Sequence, residues 1–150
     1  MKITALVHGY PPNKNAGAEW YLHNLFKHLV EKGHYITVRL AISDMEPYDL
    51  DGVKVEVDSY RNTKEDILTS DLIISHLNRQ GYAINVAAFH HKPIVVINHN
   101  ANGFPAIPAK HQPDSQNRFL YTIYNAEHIK KSLHYPNPSF VLHPPVDADR

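Results

Sequence analysis

The 150-residue chain contains no cysteine. This excludes a disulfide framework, a thiolate metal site and a cysteine nucleophile. Charge of one sign is missing too: 15 Lys and Arg balance 15 Asp and Glu. A nucleic-acid binder carries a basic surplus, so no nucleic-acid partner is expected. The apolar run in Met1 to His8 is too short for a signal peptide or a membrane span, which points to a soluble, cytoplasmic chain with room left for a peripheral membrane contact. Several phosphate and nucleophile signatures are also absent. No GxGxxG follows the first apolar segment, so a standard dinucleotide site is not expected, and no GxxxxGK(S/T) marks a P-loop. There is no acidic cluster of the kind a phospho-acceptor domain needs, and no GxSxG elbow.

Hydrophobic residues make up 43% of the chain, enough for one packed core at this length. Histidine is the abundant oddity, with 12 copies. His90, His91, His99 and His111 lie near one another in sequence, but no HExxH or similar fixed-geometry pair accompanies them. They read as scattered surface and loop residues, and no metal is expected.

Apolar patterning alternates strand-like and helix-like segments from end to end. Ile3 to His8 reads as a buried strand and residues 9–17 as a loop. From Ala18, the residues Leu22, Leu25, Phe26, Leu29 and Val30 recur at helical spacing until Gly33 stops the helix. Ile36, Val38, Leu40 and Ile42 alternate as a second strand, and Val53, Val55 and Val57 as a third. Asn62 or Thr63 is the expected cap of a short helix through Leu68. Leu72 to Ile74 is a fourth strand, Gln80 to His91 a helix and Ile94 to Ile97 a fifth strand. A loop holding Pro105, Pro108 and Pro113 precedes a strand from Phe119 to Ile123. Asn125 is expected to cap a helix to about His134, and Phe140 to Leu142 closes the pattern as a short strand. Such alternation predicts a doubly wound α/β fold, with a mostly parallel sheet and helices on both faces. Ligands of such sheets sit beyond the carboxyl ends of the strands, so the loops after Val7, Ile74, Ile97 and Ile123 are the places to look.

Candidate residues fall at those ends. Gly17 begins a helix, where unpaired amides and the helix dipole attract phosphate, although Glu19 in the first turn satisfies that dipole without a ligand. His99 follows the fifth strand between Asn98 and Asn100, and these three join as candidates for contact with a substrate hydroxyl or a developing charge. His76, after the fourth strand, is a second candidate; His8 faces either the crevice or the core. The ordinary role of Asn125 is a helix cap.

Together these segments resemble the opening of glycosyltransferase family 4. The likeness rests on Gly9-Tyr10-Pro11-Pro12, on Ala16-Gly17-Ala18-Glu19 at a helix start and on Glu31-Lys32-Gly33-His34-Tyr35-Ile36-Thr37-Val38. It continues through Asp71 to His76, Lys92 to His99, Tyr124 to Lys130 and Val141 to Asp147, so it spans essentially the whole chain. It implies one Rossmann-like domain over residues 1–150, the N-terminal, acceptor-side half of a GT-B fold, with the C-terminal nucleotide-sugar domain absent. It further implies a UDP- or GDP-linked sugar as co-substrate, no cofactor, a sugar acceptor and a separate C-terminal domain as partner. Carried over by position, His99 is the catalytic cleft histidine and His76 lines the acceptor side. Gly17 lies in the loop approaching the donor diphosphate, with Ala16 in place of the first glycine of the usual pair. Asn125 stands where the family usually has serine, and Glu19 is structural. The expected function is the acceptor-side domain of a glycosyltransferase, inactive without its second domain. A non-catalytic glycan- or partner-binding module with the same fold, and a small enzyme with an unrelated nucleotide site, are the rival readings.

Overall fold

Continuous apolar strands demand cover on both faces, and the chain supplies it. A computed structural model describes residues 1–42, 44–76, 79–100, 119–133 and 138–144. The strands are β1 (Lys2–Val7), β2 (Tyr35–Leu40), β3 (Tyr48–Leu50), β4 (Val53–Val57), β5 (Leu72–His76), β6 (Ile94–Asn98), β7 (Leu120–Tyr124) and β8 (Ser139–Val141). They form one sheet in the order β3-β4-β2-β1-β5-β6-β7-β8. Every pairing is parallel except β3 with β4. The winding runs outward from β1 through β2 to β4 on one side and from β5 through β8 on the other. The topological switch therefore falls between β1 and β5, where doubly wound sheets open their ligand crevice.

Helix α1 (Gly17–Glu31) lies on one face. Its Tyr21, Leu22 and Phe26 pack with Ile3, Ala5, Val7, Ile74 and Ile97. On the opposite face, Ile67 of α2 (Tyr60–Thr69) and Ala83, Ile84 and Ala87 of α3 (Gln80–Phe89) pack with Leu6, Ile73, Ile94, Val96 and Leu120. The short α4 (Glu127–Leu133) buries Ile129. Each fully buried Leu, Ile or Phe contributes about 1.5–3 kcal/mol, so the two clusters dominate the folding energy. The doubly wound α/β expectation holds, with helices on both faces. Among the described residues, no helix is long and apolar enough to cross a membrane.

Local chemistry corrects several boundaries. Strand β3 was not expected. It pairs with β4 through Asp51 (φ 50°) and Gly52 (φ 79°), the two left-handed residues of a tight Asp-Gly hairpin. β2 ends at Leu40, so Ile42 lies outside the strand and is exposed. Ser59, rather than Asn62 or Thr63, caps α2, its hydroxyl accepting from the Asn62 amide. Thr63 is instead buried, and its hydroxyl donates to Asp58 at 2.5 Å. α3 stops at Phe89, with His90 as its C-cap residue. Gly33 does terminate α1 as expected. Its φ is 84°, its amide bonds the Val30 carbonyl and the His34 amide bonds the Leu29 carbonyl, a Schellman closure.

Candidate functional site

Side-chain parity along the strands decides which carboxyl-end residues meet. Ile74 and Ile97 face α1 whereas Ile73 and Val96 face α2 and α3. Alternation then puts His76 on the α1 face at the end of β5, and His99 on the same face just past β6. The register pairs His76 with Ile97 and Asn98 with Tyr124, so Asn125 comes to lie beside His99. Asn125 Nδ2 stands 3.1 Å from His99 Nδ1. The His76 and His99 rings meet edge to face at 4.6 Å, and Tyr21 of α1 meets His99 in the same way at 4.7 Å.

This cluster runs from fully buried at His76 to half-buried at His99 and Asn125, and it is incompletely paired. His76 is fully buried, and neither of its ring nitrogens has a hydrogen-bond partner among the described residues. The same holds for His99 Nε2, Asn125 Oδ1 and Glu19 Oε2. Each buried polar atom left unpaired costs about 1–3 kcal/mol, and native interiors hold few of them. Five orphaned atoms around one corner of a sheet are therefore a local deficit that a ligand's hydrogen bonds can fill.

The electrostatics fix what these groups do. Burial above all pushes the His76 ring down to about 3, with the charges of His99, Lys14 and His8 adding to the effect. Burial likewise pushes His99 down to about 4, against an opposing pull from Glu19. Both rings are neutral near pH 7. An amide nitrogen only donates, so the Asn125 contact makes Nδ1 of His99 the acceptor and leaves the ring proton on Nε2. His99 thus presents an N–H to the site and cannot take a proton there. Asn125 spends its side chain on this contact, and its free oxygen caps nothing, so the expected cap role is corrected.

The other candidates sort unevenly. Asn98 points to the opposite face, where Gln80 donates to its Oδ1 at 2.9 Å and to the Ile97 carbonyl at 3.0 Å; it does not join the histidines. Asn100 is exposed, and His8 lies past β1 and is exposed, on the solvent side rather than in the core. Ala16 is the N-cap residue of α1 and offers no side-chain acceptor, so the first-turn amides at Gly17 and Ala18 receive no cap from it. Gly17 is exposed, and a Cβ built there would meet nothing within 4 Å. His90 and His91 close α3 at the other end of the sheet, and His111 lies outside the described residues. Sequence reasoning assigned Glu19 only a structural role. Its side chain is in fact 2% exposed, with Oε1 3.4 Å from Lys14 Nζ.

The loop carrying Gly17 is braced from the hairpin. Tyr48 donates to the Pro11 carbonyl at 2.5 Å. The Tyr10 hydroxyl lies 2.9 Å from His23 Nδ1, and His23 Nε2 lies 3.1 Å from the Asp51 carboxylate. Because the carboxylate only accepts, Nε2 carries the proton and Tyr10 donates to Nδ1. That contact from His23, then the charge of Lys27, lowers the Asp51 pKa. A separate groove of about 330 Å³ lies between α2 and α3, lined by Tyr60, Lys64, Ile67, Tyr82 and Phe89 among others. Its tyrosines and lysine are exposed to water, and it lacks the deficit of unpaired atoms that marks the histidine corner.

No family model matches this chain, and no curated protein matches it. Among solved structures it is similar to a conserved protein from Enterococcus faecalis V583, at 17% identity and a TM-score of 0.40, over 95% of this chain and 92% of that one. A likeness that distant carries nothing about function, and the fold stands on the strand order and register described above.

Proposed function

We propose that this chain is the acceptor-side domain of a glycosyltransferase that moves a sugar from a UDP- or GDP-linked donor to an acceptor hydroxyl, with a second domain supplying most of the donor site. The observation that carries this reading is the mixed polarity of the orphaned atoms. His99 Nε2–H donates, Asn125 Oδ1 and Glu19 Oε2 accept, and neutral His76 offers one nitrogen of each kind. An anion would satisfy only the donors and a metal only the acceptors. Hydroxyl groups do both, so a polyhydroxylated ligand matches the set.

Each residue then has a task. Asn125 holds the His99 tautomer, and His99 orients or polarises a substrate oxygen without acting as the base. The uncapped amides at Gly17 and Ala18, with open space above the glycine, face the donor diphosphate. The neighbouring domain closes over the corner and excludes water. Calorimetric titration of the chain with UDP, GDP and ADP, each with and without a sugar, tests the assignment. Absent or very weak nucleotide binding is expected, because the donor site is mainly elsewhere. Tight, base-selective binding overturns the half-enzyme reading. With the second domain supplied, His99→Ala loses turnover far more than folding stability, and unchanged turnover rejects the role of His99.

A further inference from the structure

The groove between α2 and α3 leaves in water what folding normally hides. Its floor is part of the core: Ile67 is buried, and the half-buried Val86 packs on the same cluster. Above that floor, α2 sets Tyr60, Lys64 and Ile67 along one side, and α3 sets Tyr82, Val86 and Phe89 along the other. Steps of three and four residues put each trio on one helix face. Yet Tyr60 is 85% exposed, Phe89 79% and Tyr82 45%. Large rings stabilise a fold by being buried, and clustered exposure of this kind marks a surface made for contact. Two of the rings are already held in place. The Arg79 guanidinium lies 4.6 Å over the Tyr82 ring, and Phe89 meets His90 edge to face at 4.8 Å. An occupant therefore spends little on ordering them.

Charge narrows the occupant. Lys64 lines the groove, and no Asp or Glu lines it among the described residues. The nearby Asp58 is already engaged by Arg79 and by the Thr63 hydroxyl. A second copy docked face to face would bring two basic patches together. A flat anionic bilayer would meet the protruding rings and leave the recess of about 330 Å³ over Ile67 and Val86 unfilled. A helix fits both demands, because its apolar side chains enter the recess while its flanks carry charge. We propose that this groove docks an acidic amphipathic helix of a partner protein. An apolar side chain of that helix sits on Ile67 and Val86 between Tyr60, Tyr82 and Phe89, and a carboxylate beside it meets Lys64. The groove lies on the sheet face opposite the α1 face that carries His76 and His99, so this docking is independent of the function proposed for the histidine corner.

The test selects a phage-displayed library of random peptides, long enough for about four helical turns, on the whole chain. Enriched peptides are expected to place apolar residues at i, i+3 or i+4 and i+7, with Asp or Glu beside them. The leading peptide, made synthetically, is then titrated against variants by fluorescence anisotropy. Phe89→Ser and Lys64→Glu each weaken it about tenfold or more, as for anchors at the centre of an interface. Both positions are exposed, so the unfolding midpoints stay near wild type. Trp20→Ala, a change to an exposed ring on α1, leaves the affinity unchanged. Exchanging the peptide's acidic residues for Lys restores binding to Lys64→Glu while losing it to wild type. Failure to enrich any peptide overturns the proposal, as does enrichment of basic sequences or a peptide indifferent to both groove variants. Two further outcomes overturn it in favour of another occupant. Self-association by sedimentation that Lys64→Glu abolishes assigns the groove to a second copy. Co-sedimentation of wild type, but not Lys64→Glu, with phosphatidylglycerol–phosphatidylcholine vesicles assigns it to a membrane.

Discussion

Two buried polar clusters in this sheet are built on opposite principles. At Arg39, on β2, each guanidinium nitrogen has a partner. Nε and Nη2 bond Asp66 at 2.9 and 2.6 Å, and Nη1 meets Glu56 at 2.7 Å and the Val57 carbonyl at 3.0 Å. At the carboxyl ends of β5 and β6, His76, His99, Asn125 and Glu19 share one side-chain hydrogen bond among them and leave five atoms unpaired. Arg39 and His76 are buried, and the partners around each are only partly so. The first is closed on itself and serves the architecture, tying β2 to α2 and β4. The second leaves hydrogen-bonding capacity unused, the feature on which the proposed sugar site rests.

The contrast is breakable. Arg39→Ala removes one cation from between two carboxylates and is expected to cost about 3 kcal/mol, the low end for a broken buried pair because Asp66 and Glu56 keep some contact with water. Urea denaturation measures it, and a loss below about 1 kcal/mol would erase the distinction between the clusters.

Acid treats the histidine corner differently. With folded values near 3 and 4, against about 6.5 in an unfolded chain, the unfolded state binds protons that His76 and His99 refuse. Stability therefore rises with pH between about 4 and 6.5 and falls on acidification through that window. The slope reaches about 1.4 kcal/mol per pH unit for His76 and less for the partly exposed His99. Urea midpoints taken across that window should show a shallower slope in His76→Leu than in wild type. Equal slopes would mean that His76 is solvated in the folded chain.

Glycines sharpen the same comparison at smaller scale. Gly52 has a left-handed φ of 79°, and a Cβ there would stand 2.9 Å from Val30 Cγ1. Gly52→Ala is expected to cost about 1–2 kcal/mol. At Gly17 nothing obstructs a Cβ, so Gly17→Ala should stay within about 0.5 kcal/mol of wild type. Thermal unfolding of the two variants separates a glycine required by the fold from one the fold does not require. A large loss at Gly17 would move it into the first class.

Legibility in sequence followed the same division. β1, β5 and β6 announced themselves as apolar runs, and α1 through Leu22, Phe26 and Gly33, because burial and period leave a direct imprint. β3 has only three residues, Tyr48-Asp49-Leu50, too few for a period, although the Asp51-Gly52 turn before Val53 is a hairpin signal that could have exposed it. Ser59 lost the cap expectation to its neighbours, since three candidate hydroxyl or amide residues crowd one helix start. At the site, His76 and His99 followed from the rule about strand ends. Counting parity would have separated Asn98 from them, because it is one residue short of His99 and so on the other face. Glu19 was not legible: a carboxylate in a first helical turn looks the same in sequence whether it is solvated or buried, and only the packing of α1 against β5 and β6 distinguishes the two.

Tyr21 gives this corner a mechanical property. Its ring edge rests on His99, and its hydroxyl donates to the Leu142 carbonyl at 2.9 Å, just past β8. One rigid phenol therefore works as a lever arm between the segment that leaves the last strand and the imidazole that presents the free N–H. A shift of that segment therefore bears directly on the orientation of the His99 ring.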